Sequence, residues 1–115
     1  MKKSEIRFTV TLDEAKMPVQ IDWSASDANM ESTSKAIMLS VWDAKEKNTL
    51  RIDLWTKEMM VDEMKQFYHQ SLLSMADSFE RATGEKEAAK AMRNFAQDFG
   101  ERMNLVMKNK IAAMK

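Results

Sequence analysis

The chain has 115 residues, 18 of them basic and 18 acidic, so its formal net charge at neutral pH is zero. That balance, with no basic cluster beyond the opening "MKK", leaves out the electrostatic footprint that nucleic-acid binders need. The absence of cysteine removes disulfides and thiolate chemistry and fits a reducing compartment, and no run reaches the roughly 18 apolar residues of a membrane span.

A chain this short reads as one domain, residues 1–115, able to bury a core without staples. It opens with positive charge, but alternation follows where a signal peptide would carry a continuous apolar stretch. We therefore expect a cytoplasmic protein. From Ser4 to Leu12 the alternation is strict: Ile6, Phe8, Val10 and Leu12 point one way and Glu5, Arg7, Thr9 and Thr11 the other, the pattern of a half-buried strand. "DEAKMP" interrupts it, because Pro18 has no amide hydrogen for a ladder. Val19, Ile21 and Trp23 alternate again in a second, shorter strand. The polar stretch 24–35 reads as a loop. Two further strands follow, "AIMLSVW" and "TLRIDLW", around a turn at Lys45–Asn48.

After Trp55 the period changes. Val61, Met64, Tyr68, Leu72, Met75 and Phe79 recur every three to four residues, as on an amphipathic helix. Arg81 and Gly84 are stop signals. A second helix starts near Glu85 and places Ala88, Met92, Phe95, Phe99, Met103 and Val106 on one stripe. Gly100 inside it is worth about 1 kcal/mol less than Ala, which predicts a bend or fraying of the last turns. The fold class is α+β: a four-stranded antiparallel sheet followed by two amphipathic helices packed on one face, ββββαα.

The third and fourth strands fix a candidate site. An even-length loop at 45–48 pairs Val41 with Ile52 and Leu39 with Leu54. Ile37, Leu39, Val41, Leu50, Ile52 and Leu54 then share one face, whereas an odd loop would mix the faces. The other face collects Met38, Ser40, Trp42, Arg51, Asp53 and Trp55. In that register Trp42 lies across from Arg51, within reach of a cation–π contact, and Trp55 across from Met38. An aromatic and charged face suits partner binding or self-association. The competing reading packs both indoles under the 24–35 loop or a helix end.

Catalytic chemistry is not legible. A single histidine without cysteine does not make a zinc site of ordinary type. His69 lies off the first helix's stripe and reads as a surface residue. Asp22, Asp27 and Glu31 lack the spacing and the central glycine of a calcium loop, and the two glycines, Gly84 and Gly100, form no phosphate loop. We expect no catalytic residue, cofactor or metal. Of the 12 methionines, Met64, Met75, Met92 and Met103 fit the helical stripes as flexible core filler. Met30, Met38, Met59, Met60, Met107 and Met114 form a partly exposed set, of the kind used by adaptable binders.

The segments "MKKSEIRFTVTLDE", "AIMLSVWDAKEKNTLRIDLWTKEM" and "VDEMKQFYHQSLLSMADSFERAT" together resemble the gliding motility protein GldC family of Bacteroidetes. The likeness is strongest over residues 35–82 and weakest in the 24–34 loop and after about Gly100, in the tail "NLVMKNKIAAMK". It implies a small cytoplasmic, non-enzymatic accessory of the gliding apparatus, itself linked to a protein secretion system. It supplies no catalytic or ligand residues. The partners expected are proteins of that machinery, met through Met38, Trp42, Arg51, Asp53 and Trp55, with a homo-oligomer as an additional expectation. Element order alone is also that of the export chaperone SecB, which gives the alternative of a holdase for secretion clients, although no SecB motif is present.

Overall fold

A computed structural model describes residues 1–107 of the chain. Its elements are β1 (Ile6–Leu12), β2 (Pro18–Ala25), β3 (Met30–Ser34), β4 (Ala36–Trp42), β5 (Thr49–Trp55), α1 (Val61–Thr83) and α2 (Lys86–Arg102). The α+β class holds, but there are five strands in two antiparallel sheets, β1-β2-β3 and β4-β5, instead of four strands in one. The additional strand is "MESTS" of β3, inside the stretch expected to be a loop, and β2 runs two residues past Trp23. A strand whose side chains are nearly all polar has no hydrophobic period to betray it. Its backbone is satisfied by pairing Met30 to Ser34 with Ala25 to Ile21. The chain separates into two compact units, Met1–Met60 and Val61–Lys115.

In the first unit the turns are set by short-range polar bonds. Asp13 starts the β1–β2 turn: its carboxylate accepts from the Ala15 and Met17 amides at 2.9 and 3.0 Å, and Lys16 takes a left-handed φ of 62°. Pro18 sits at the first position of β2, where no ladder hydrogen is needed, and a bulge follows as Thr11 pairs with Gln20 but Leu12 with Pro18. The Asp13 carboxylate also holds Lys57, beyond β5. Ile21 is fully buried on the central strand, between Val10 and Ser34.

The β4–β5 turn repeats the device. The Asp43 amide donates to the Asn48 carbonyl at 3.0 Å, the Asp43 carboxylate accepts from the Lys45 and Glu46 amides, and Lys47 is left-handed at φ 54°. The loop is Ala44–Lys47 rather than Lys45–Asn48. It stays even in length, so the faces stand as expected, but the register moves by two: Val41 pairs with Leu50, Leu39 with Ile52 and Ile37 with Leu54.

In the second unit the helices meet along small residues. Ala76 of α1 and Ala89, Ala96 and Gly100 of α2 are buried, and Arg93 of α2 binds Asp77 and Glu80 of α1 at 2.9 Å each. At 3.6 residues per turn this seam lies roughly a quarter turn from the apolar stripe of each helix. The offset has the same sense on both helices. In an antiparallel pair it therefore puts both stripes on one side of the hairpin.

His69, expected at the surface, lies half-buried in the seam, its ring stacked on Phe99 with centroids 6.4 Å apart. It packs where α2 has no side chain: a Cβ on Gly100 would stand 2.8 Å from His69 Nε2 and 2.9 Å from Val106 Cγ2. Gly100 is thus the point of close helix approach and not a weak spot. α2 ends two residues later in an ordered cap. Asn104 is left-handed at φ 59°, Leu105 N–H donates to the Gly100 carbonyl at 2.8 Å and Asn104 N–H to the Glu101 carbonyl at 3.2 Å. That is the double bond pattern of a Schellman motif, and it places Met103 at the cap and Val106 beyond the helix.

Two predictions follow from these contacts. Gly100→Ala gains about 1 kcal/mol of helix propensity but forces a methyl into the His69 ring at a cost of about 1–3 kcal/mol. The expected result is a net loss near 1 kcal/mol, read as a Tm lowered by several degrees and partly relieved in the His69→Ala background. Separately, the Lys57 ammonium, with the Met17 and Ala15 amides, holds the Asp13 carboxyl below its ordinary value. A lowered folded-state value gives stability that is present above the ordinary carboxylate pKa, about 4, and lost as pH falls through the lowered one. Urea unfolding at successive pH values should show Lys57→Ala less stable at neutral pH, with the two curves converging in acid.

Candidate functional site

The β4–β5 ribbon carries the residues singled out from the sequence. Met38, Trp42, Arg51, Asp53 and Trp55 do share one face, with Met38 directly opposite Asp53. The two-residue register shift changes their neighbours. Trp42 faces Thr49, Arg51 faces Ser40 and Trp55 faces Ala36, in place of the expected Trp42–Arg51 and Trp55–Met38 pairs. Arg51 instead donates along its own strand to Asp53 at 2.9 Å.

The indoles stand at opposite ends of the ribbon, about 20 Å apart at roughly 3.3 Å per residue. They bracket the Arg51–Asp53 pair and do not enclose a pocket. Both are open to solvent, Trp42 at 68% and Trp55 at 56%. The reading that buried them under the 24–35 segment fails, because that segment is built into β2, a turn and β3. The face presents two large, stiff aromatic surfaces around a charge pair, side-chain types enriched in binding hot spots.

The opposite face carries Ile37, Leu39, Val41, Leu50, Ile52 and Leu54, as expected. Val41, Leu50 and Ile52 are 49–51% exposed. The methionine set divides: Met30, Met60 and Met107 are exposed, Met38 and Met59 half-buried, and Met114 lies outside the described residues.

A second feature was not legible in the sequence. The polar face of β1-β2-β3 forms an open concavity in which Arg7, Ser24 and Glu31 make one cross-strand row and Thr9, Asp22 and Thr33 another. Reading 24–35 as a loop hid it, since half the rows come from β3 and the end of β2. Its charges are mixed and its floor is open, the marks of a solvated sheet face. Asp22, Asp27 and Glu31 fall on β2, a turn and β3 respectively. No group of three or more His, Asp or Glu side chains able to hold a metal gathers among the described residues. None of the described helices is long and apolar enough to cross a membrane.

A family model described as "Gliding motility-associated protein GldC-like" matches residues 18–105, from β2 through the cap of α2. No curated protein and no solved structure matches the chain.

The exposure of the indoles predicts their fluorescence. Trp23, half-buried between Phe8 and Ser32, should be the protected one. Acrylamide should quench a Trp23→Phe variant, which keeps Trp42 and Trp55, more strongly than a Trp42→Phe/Trp55→Phe variant. The reverse order would mean that the face is covered.

Proposed function

The chain belongs to the GldC-like family of gliding motility-associated proteins, and we propose that it is a non-enzymatic accessory of the gliding apparatus that docks a partner protein of that machinery through the tryptophan face of β4–β5. The reading takes residues 1–115 as one GldC-like domain working in the cytoplasm. The observation that carries it is the exposure of Trp42 and Trp55 on one face, around the Arg51–Asp53 pair. An exposed indole has little to contribute to the stability of its own chain, whereas one desolvated by a partner is commonly worth 2 kcal/mol or more. The surrounding side chains fit the same role. Met38 offers adaptable apolar contact between the rings, and the charge pair sets orientation more than affinity.

The holdase alternative rests on weaker ground than it did in the sequence. It was drawn from four strands followed by two helices and from the surplus of methionine, and the described residues form five strands in two sheets. Its remaining support is the methionine inventory, with Met30, Met60 and Met107 exposed, and the half-exposed apolar face of the ribbon.

Trp42→Ala/Trp55→Ala separates the two readings. The substitutions should leave the circular dichroism spectrum unchanged and the unfolding free energy within about 0.5 kcal/mol per site, as exposed positions do. Mild crosslinking and co-purification from gliding cells should then show one or two stoichiometric partners lost, with affinity down by roughly a hundredfold or more and gliding impaired. Retention of the partners and of motility would overturn the docking face. A broad spread of unfolded exported proteins on the wild type would favour the holdase.

A further inference from the structure

Among the described residues the β4–β5 sheet has two strands, and such a ribbon is marginal in water unless something completes it. Its two edges differ. Along β4, Ala36 to Leu39 are half-buried, whereas along β5 every residue except Leu54 is exposed. β5 contains no Pro, Gly or Lys, no bulge interrupts its register with β4, and its two charges are of opposite sign, so they guard the edge only against registers that oppose like charges.

β5 is moreover self-complementary. Of the five strands it alone carries opposite charges two residues apart, Arg51 and Asp53. We propose that β5 pairs with β5 of a second copy of this chain, antiparallel and centred on Ile52, to give a continuous four-stranded sheet β4-β5-β5-β4 across a two-fold axis.

Among the registers that pair at least five residues of each β5, the charges select that one. Centred on Ile52, Arg51 of each copy lies opposite Asp53 of the other, and the two in-strand ion pairs join into one network of four. Centring on Arg51 sets two guanidinium groups face to face, and centring on Asp53 sets two carboxylates face to face. Both arrangements are unfavourable for directly opposed like charges. A centre between residues would put Arg51 against the partner's Ile52 and mix the faces.

The same centre aligns the apolar side, with Ile52 against Ile52 and each Leu50 against the partner's Leu54. It leaves four indoles on the opposite face, two from each copy. An isologous contact of this kind closes at two copies and does not propagate. The inference rests on sheet pairing alone and not on the docking reading above.

The test uses the full chain and two single reversals at exposed positions, Arg51→Asp and Asp53→Arg, each first shown folded by circular dichroism. Wild type should sediment as a dimer. Each single variant brings like charges together twice across the axis and should weaken the dimer by roughly tenfold or more. The double variant Arg51→Asp/Asp53→Arg should recover it, as should mixing the two single variants, which are complementary to each other and not to themselves. A strictly monomeric wild type would overturn the proposal, as would a dimer indifferent to both reversals. A monomer that binds a foreign strand along β5 would also sink it, by assigning the edge to another occupant. A monomeric wild type whose partners are still lost in Trp42→Ala/Trp55→Ala would sink this inference and leave the docking face standing. A charge-swapped dimer whose partners ignore the tryptophans would do the opposite.

Discussion

What the β4–β5 ribbon can do is decided by the turn at Asp43. One backbone bond to Asn48 and two amides held by the Asp43 carboxylate close a four-residue loop. Because that loop is even in length, every apolar residue of the two strands falls on one side and both tryptophans fall on the other. A one-residue change would scatter Val41, Ile52 and the indoles over both faces. The aromatic face, its charge pair and the free edge of β5 all inherit their composition from this closure. The left-handed Lys47 shows how firmly it is imposed, since a non-glycine residue in that region costs about 1–2 kcal/mol.

The helical unit obeys a different constraint, that of distance. The two helices approach through Ala76, Ala89, Ala96 and Gly100, with the His69 ring laid against the glycine. Side chains that small allow close packing but bury little area. The larger residues, among them Tyr68, Met75 and Phe95 at 43–58% exposure, stay on the flank of the hairpin. The Arg93 bridge to Asp77 and Glu80, between Ala89 and Ala96, and the Asn104 cap beyond Gly100 add direction to the seam. The chain thus combines a small, tightly fitted interior with wide apolar and aromatic surfaces, a division of labour that suits a protein working by contact.

The two proposals use the ribbon in different ways, one through a face and the other through an edge. A face binds through side chains, and on the docking proposal its specificity would lie in Trp42, Trp55 and Met38. An edge binds through backbone groups, and its specificity comes from which side chains end up opposed. On β5 the two meet, because Arg51 and Asp53 belong both to the aromatic face and to the edge register. Pairing along the edge would double the face without covering it.

Much of this was legible in the sequence, for a physical reason: alternation and helical periodicity are local. Ile6 to Leu12, the two strands around Lys45–Asn48, and the Val61–Phe79 stripe announced a strand, a hairpin and a helix because side-chain direction repeats every two or 3.6 residues. Five named residues were brought onto one face by the same logic. β3 was missed because its residues are nearly all polar, so only its backbone pairing with β2 makes it a strand. The exact register of Trp42 was missed because even loops of different placement satisfy the same faces, and the Asp43 carboxylate chooses between them. His69 and Gly100 were misread because the seam between two helices follows the smallest side chains and not the most apolar ones, and only packing in three dimensions shows where those lie. The sequence by itself determined the periodic elements and which side chains share a face. Tertiary structure decided their partners, their exposure and which edge stays open, since these depend on atoms far apart in the chain.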